Sequence, residues 1–162
     1  MTSSPGAGSA RVRPAHAGDE AFVTGLVPRF TEHGVAGGHT RDEVIDGTAQ
    51  VLREALAHPR AGELLLIAED ERGAPTGFAY AVTHRDFFTG ESYVHVSEIA
   101  AARSGAGVGG RLMDAVEAWA HERGCRLVTL NVVDENVPAR RFYERRGYRL
   151  GHHHYVKRLE SA

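Results

Sequence analysis

The sequence predicts one α/β domain of the α+β type, in which helices cover both faces of a mixed, mostly antiparallel sheet. Apolar residues that alternate or run continuously over short stretches indicate strands, and apolar residues at helical spacing indicate helices. Read along the chain, these signals give the order β-α-α-β-β-β-α-β-α-β, with consecutive strands that favour antiparallel neighbours. A length of 162 residues suits a single domain with its own core.

The composition is that of an ordinary globular protein and excludes several function classes. A net charge of −2 gives no basic surface for nucleic acid or an anionic membrane. No apolar run reaches the roughly 20 residues of a membrane span. The single cysteine, Cys125, cannot form an internal disulfide and suits a reducing compartment. We therefore expect a cytoplasmic protein, with a disordered leader at residues 1–10 and one domain at residues 11–160.

A short strand and two helices are predicted first. Residues 11–14 suit a strand, and Asp19 is the expected N-cap of a helix that continues to about residue 33. Pro28 is expected to break or kink this helix. Thr40 begins the second helix, because Glu43 three residues later completes a capping box.

Two strands and an aromatic loop follow. Residues 64–68 form a continuous apolar run, residues 76–84 alternate, and the two runs are expected to pair as an antiparallel hairpin. The loop after them carries Phe87 and Phe88. These aromatics suit either an exposed binding lip or buried anchors of the loop.

A strand, a glycine cluster and a helix occupy residues 93–123. Glycines let backbone N–H groups approach an anion, and the first helical turn points further free N–H groups at it. The cluster therefore predicts phosphate binding. Gly105, Gly107 and Gly110 also fit the dinucleotide pattern G-x-G-x-x-G. The chain beyond them is too short for a doubly wound sheet, so a dinucleotide-dependent oxidoreductase is the weaker alternative.

The last third of the chain predicts a strand, a helix and a strand. Residues 126–133 are apolar on both faces and suit a buried strand. Asn136 is the expected N-cap of the following helix, which Gly147 ends. Residues 148–159 are predicted to form the final strand.

Two motifs resemble those of the GNAT superfamily of N-acetyltransferases. Gly107-Val108-Gly109 is similar to the end of that family's acetyl-CoA-binding pattern, Arg/Gln-x-x-Gly-x-Gly/Ala. Ser104 stands at the basic position of the pattern, and Arg103 lies one residue before it. Residues 131–148 resemble the second signature, Asn…Asn-x-x-Ala-x-x-Phe-Tyr-Glu-x-x-Gly-Phe/Tyr.

The resemblance implies direct transfer of an acetyl group from acetyl-CoA to a primary amine of a small molecule or a peptide. Glu98 would then be the general base, acting directly or through water, and Tyr143 the general acid that protonates the leaving thiolate. It also implies a possible homodimer. The acetyl-CoA-binding residues that it implies are Ile99, Ala100, Ala101, Arg103, Gly105, Gly107, Gly109, Gly110, Asn136 and Tyr143.

The sequence leaves the identity of the base and the catalytic competence of the site open, and it does not predict a metal site. His95 is an alternative candidate for the general base. It lies three positions before Glu98, and on a regular strand this spacing places the two side chains on opposite faces, so both cannot serve one site. Consecutive residues 152–154 are all histidines, yet only two could share a face, and no metal site is predicted. Ser104 and the short loop before the glycines leave a non-catalytic acyl-CoA-binding module as the main alternative.

Overall fold

The predicted α/β class is confirmed by the computed structural model, which describes residues 10–159. The predicted leader thus lies outside the described residues except for its last residue. The described chain contains two 3₁₀ segments, Ala17–Asp19 and Val27–Thr31, together with nine α-helices and strands. These are β1 (Arg11–Pro14), α1 (Glu20–Leu26), α2 (Arg41–Ala57), β2 (Glu63–Glu69), β3 (Pro75–Arg85), β4 (Ser92–Ala101), α3 (Val108–Glu122), β5 (Val128–Leu130) and α4 (Val137–Arg145).

The five strands form one mixed sheet in the order β1-β2-β3-β4-β5. The first four strands pair antiparallel with their neighbours, which confirms the predicted hairpin of β2 and β3. Only β4 and β5 pair in parallel, because α3 carries the chain back across the sheet between them.

Helices cover both faces of this sheet, as predicted. On one face α1 and α2 pack against the sheet, with Leu52, Ile67 and Phe78 fully buried among them. On the other face α3 and α4 cover the alternate residues of the same strands, and Leu112 and Met113 are fully buried there. The alternation of Phe78 and Tyr80 with Ala79 and Ala81 along β3 thus separates two cores.

Local signals place the helix ends. The hydroxyl of Thr40 accepts from the Glu43 amide at 3.2 Å, and the Glu43 carboxylate accepts from the Thr40 amide at 2.8 Å, so the capping box is present. Helix α1 gives way to a 3₁₀ segment around Pro28, as expected. Asp19 does stand before α1, but its carboxylate binds the Arg13 guanidinium at 2.8 and 2.9 Å instead of capping the helix.

The predicted final strand is wrong, and β5 is shorter than predicted. No part of residues 148–159 forms a strand. A strand needs a ladder partner, whereas this segment lies against the loop that precedes α2. There Val156 lies against Gly37 and Gly38, and the guanidinium of Arg158 is 3.8 Å from the Glu43 carboxylate.

Gly77 lets the start of α3 lie directly on β3. A Cβ at this position would be 2.6 Å from a methyl carbon of Val108 and 2.7 Å from the carbonyl oxygen of Ala100. Any side chain would push the helix away from the sheet. This close contact holds the glycine cluster against the end of β4.

Candidate active site

A β-bulge interrupts β4 beside the centre of the sheet. Along β3, Tyr80 and Ala81 are adjacent, but their partners on β4 are Glu98 and Val96. Ser97 is the extra residue and has no partner in the ladder. One extra residue reverses the alternation of side chains on the strand beyond it.

The bulge puts His95 and Glu98 on the same face, so the prediction that they lie on opposite faces is wrong. Glu98 is the partner of Tyr80, and His95 is the partner of Val82. Tyr80 and Val82 are two residues apart on β3 and both belong to the core under α1 and α2. Both titratable side chains therefore face the side of the sheet that α1 and α2 cover.

Glu98 is suited to accept a proton near neutral pH. The side chain is partly buried, and this burial raises the pKa of its carboxyl from 4.5 to about 7. On the neighbouring strand, burial and the nearby Glu63 carboxylate raise the pKa of Tyr80 to about 12, so that residue stays neutral. The charge of Glu98 thus changes within the physiological pH range.

Beyond the bulge, β4 and β5 separate. Their ladder joins only Val94, His95 and Val96 to Val128, Thr129 and Leu130. In the described part of the chain, the edge of β4 that faces β5 is unpaired from residue 97 onwards. Ile99, Ala100 and Ala101 line this opening, so an extended ligand could add to their backbone groups as a strand would.

The glycine cluster ends the opening and has the shape of an anion site. Gly105 and Gly107 adopt left-handed φ values of +83° and +71°, and Gly107 is the N-cap of α3. The amides of Val108, Gly109 and Gly110 form the first helical turn, where N–H groups have no partner within the helix. A Cβ at Gly105 would meet nothing within 4 Å, and a Cβ at Gly107 would meet only the end of the Arg111 side chain, at 3.9 Å. This space and the nearby guanidinium fit a phosphate group.

Helix α4 follows β5 in the chain and packs with α3 over the same face of the sheet. The Asn136 side chain accepts from the Ala139 amide at 3.2 Å, which confirms it as the N-cap. Tyr143 is buried in the core under α3 and α4, with its ring centroid 5.0 Å from that of Phe142. Burial raises the pKa of its phenol to about 12, so the group keeps its proton at neutral pH. Tyr143 and Glu98 therefore lie on opposite faces of the sheet.

Other predicted features lie away from this opening. Phe87 and Phe88 are 92% and 90% exposed, so they are not buried anchors of their loop. Cys125 is buried in the core under α3. Within residues 10–159, no three His, Cys, Asp or Glu side chains are grouped so that they could hold a metal ion. In the same range, every helix is too short or too polar to span a membrane.

Comparison with known proteins identifies the family. A family model described as the acetyltransferase (GNAT) family matches residues 29–148, which is well over half of the chain. The chain belongs to the GNAT acetyltransferase family. The family predicted from the two motifs is thereby confirmed. No curated protein sequence matches this GNAT chain.

Solved structures share the GNAT fold at low sequence identity. The ribosomal-protein-alanine N-acetyltransferase of Brucella melitensis is 20% identical, with a TM-score of 0.69 over 93% of this chain and 100% of its own. An aminoglycoside N-acetyltransferase in complex with CoA is 19% identical, with a TM-score of 0.69 over 98% and 99%. The glucosamine-6-phosphate N-acetyltransferase of Arabidopsis thaliana is 17% identical, with a TM-score of 0.65 over 94% and 99%.

Two arginines near the GNAT glycine loop were missed in the sequence. Arg29 donates to the carbonyl oxygens of Ala101 and, at 2.8 Å, of Ala102, and so holds the end of β4. Arg111 reaches back over the loop to within 3.5 Å of the Ala106 carbonyl oxygen. The predicted Arg103 is exposed on the same loop. Arg111 lies in the first turn of α3, and no local sequence signal marks how far such a long side chain reaches back.

Proposed function

We propose that this GNAT chain is an acetyl-CoA-dependent N-acetyltransferase that transfers an acetyl group directly to a primary amine of a small molecule or a peptide. One observation carries the proposal. The opening between β4 and β5 connects the two faces of the sheet, with Glu98 on one face and Tyr143 on the other. The base must reach the incoming nitrogen and the acid must reach the leaving sulfur, and a thioester lying in this opening would present these two atoms to the two faces.

Acetyl-CoA supplies the acyl group as an activated thioester, and the chain offers groups for each part of it. The amides after Gly107 would hold the pyrophosphate, and Arg103 and Arg111 would add positive charge beside it. The unpaired edge of residues 99–101 would hold the pantetheine arm, with Asn136 at its far side. A backbone amide of Ile99 or Ala100 would stabilise the negative charge on the carbonyl oxygen.

Each titratable residue then has one task. The Glu98 carboxylate removes a proton from the ammonium form of the acceptor, so that the nitrogen lone pair can attack the carbonyl carbon. The phenol of Tyr143 gives its proton to the sulfur as the carbon–sulfur bond breaks. The second proton of the attacking nitrogen then restores the phenol, so that the product is a neutral amide. No nucleophilic side chain is required, because the amine itself attacks. The names of two relatives, which act on a ribosomal-protein alanine and on aminoglycosides, support an amine acceptor.

The proposal is tested by calorimetric titration with acetyl-CoA, followed by a screen for CoA release. The screen uses acetyl-CoA with a polyamine, an aminoglycoside and a short peptide with a free N-terminus, and a thiol reagent detects the product. Binding together with amine-dependent thiol release is the expected result. Binding without release from any amine would favour the non-catalytic acyl-CoA-binding module, and no binding by folded protein would reject both.

Tyr143→Phe is expected to lower kcat by about 10²-fold, because it removes the proton donor but keeps the buried ring. The affinity for acetyl-CoA should change by less than about threefold. Steady-state kinetics and calorimetry on the same preparation measure both quantities.

Tyr148→Phe is the matched control for this substitution. The rings of Tyr143 and Tyr148 are 5.7 Å apart, and the Tyr148 hydroxyl donates to the Glu117 carboxylate at 2.9 Å. Its loss should reduce stability by about 1 kcal/mol and leave kcat unchanged. Equal rates for Tyr143→Phe and the wild type would mean that another group protonates the thiolate.

A further inference from the structure

A row of polar side chains leads from the bulge to the surface on the face that carries Glu98. His95 lies on this face on the other side of Ser97, and its ring is 6.1 Å from that of His84 on β3. Glu98 and His95 are partly buried, whereas His84 is exposed. The row therefore runs from the partly buried carboxyl to solvent through one imidazole.

The surroundings of His95 suit an imidazole that gains and loses a proton. Its Nδ1 is 2.8 Å from the hydroxyl oxygen of Thr129 on β5, which fixes the ring and leaves Nε2 for exchange. The titratable groups that face it are His84 on β3 and, on β4, Tyr93 and Glu98. Burial, and then the positive charge that His84 can carry, lower the pKa of His95, so the ring is neutral near pH 7.

The proposed reaction needs such an exit for protons. A primary amine in water is mostly an ammonium ion, and each turnover therefore releases one proton beyond the one that reaches the sulfur. After Glu98 has taken this proton, the carboxyl must lose it before the next amine can be deprotonated. Because the Glu98 carboxyl is partly buried, an imidazole on the same face that leads to solvent offers this proton a route out.

We infer that His95 is a proton-transfer residue of this site, which takes the proton from Glu98 and passes it to His84 and to solvent. This inference rests on the proposed N-acetyltransferase function. The proton leaves the ammonium nitrogen for the Glu98 carboxylate, and then crosses water to Nε2 of His95. It leaves through His84, so that Glu98 is a carboxylate and His95 is neutral again. No other bond is made or broken in these steps.

The test compares the wild type with His95→Gln and His95→Ala, using acetyl-CoA and whichever of the three screened acceptors, the polyamine, the aminoglycoside or the peptide, reacts fastest. His95→Gln can keep the bond to Thr129 but cannot carry a proton. We expect kcat to fall by at least about tenfold, while the KM for acetyl-CoA changes by less than about threefold. Added imidazole should restore part of the rate of His95→Ala. His58→Gln, at the exposed end of α2, is the control and should behave as the wild type.

Several outcomes would overturn the inference. It fails if His95→Gln keeps the wild-type kcat and pH profile, or if imidazole does not raise the rate of folded His95→Ala. If neither variant folds, His84→Gln decides, because His84 is exposed and can be replaced without disturbing the core. That variant should lower kcat by at least about threefold, and an unchanged rate would reject the relay. A wild-type chain that releases no thiol with any amine would overturn the proposed function as well.

Discussion

Replacing Glu98 with glutamine is expected to lower kcat by about 10²- to 10⁴-fold, the range that a general base contributes. Glutamine has nearly the same shape but cannot accept a proton. Binding of acetyl-CoA should be retained, because the glycine loop and the edge of β4 are unchanged. In the wild type, kcat/KM should rise as the pH passes about 7, where burial places the pKa of Glu98. This rise should be absent from the residual activity of the variant.

The same substitution is expected to stabilise the fold at alkaline pH. Because burial raises the pKa of Glu98 from 4.5 to about 7, the folded chain binds more protons than the unfolded chain between these pH values. The wild type therefore loses stability as the pH rises through this window, by about 2 kcal/mol for a partly exposed carboxyl. Glutamine is neutral throughout and avoids that loss.

Kinetics and thermal unfolding at pH 5 and pH 8.5 measure both effects. Glu122→Gln is the control, since Glu122 is exposed at the end of α3 and far from the opening. The control should show wild-type rates and wild-type stability at both pH values. A Glu98→Gln variant with more than a third of the wild-type rate would place the base elsewhere. A variant no more stable than the wild type at pH 8.5 would contradict the raised pKa.

Gly107→Glu is expected to weaken acetyl-CoA binding at least about 100-fold, to the point where calorimetry detects none. The new carboxylate would stand among the free amides of α3 and repel the pyrophosphate. A side chain in the left-handed region also strains the backbone, at a cost of about 1–2 kcal/mol. That strain must be separated from the effect of charge at the binding site.

Gly90→Glu provides the separation. Gly90 has a φ of +71°, the same as Gly107, and open space around its Cβ position. It lies in the turn between β3 and β4, and the whole length of β4 separates this turn from the glycine loop. The two variants should therefore lose similar stability in thermal unfolding, while Gly90→Glu keeps the wild-type affinity. If Gly107→Glu binds acetyl-CoA as well as Gly90→Glu does, the pyrophosphate is not held at this loop.

Local sequence signals were sufficient for most elements that position the site. The capping box at Thr40, the N-cap at Asn136 and the glycine loop before α3 each depend on a few adjacent residues, and the structure contains all three. The hairpin of β2 and β3 followed from two apolar runs with a turn between them. The roles of Glu98 and Tyr143 came from the family resemblance and remain proposals.

Non-local features could not be predicted in this way. Residues 148–159 have the composition of a strand, but whether they form one depends on a partner elsewhere in the chain. The face of His95 depended on the bulge at Ser97, which no glycine or proline marks. Arg29 reaches the carbonyl oxygens of Ala101 and Ala102, more than 70 positions along the chain. Only the folded chain shows contacts of this kind.

The bulge at Ser97 also makes the length of β4 matter more than its composition. Side chains along a strand alternate between the two faces of the sheet, so one added residue moves every later side chain to the opposite face. Deleting Ser97 would restore regular alternation along β4. Either Glu98 or the pair Val94 and Val96 would then lie on the wrong face of the sheet. If a sequence alignment places a gap within β4, buried residues of one relative are therefore aligned with site residues of another. The adjoining loop at residues 86–91 carries no such constraint on its length.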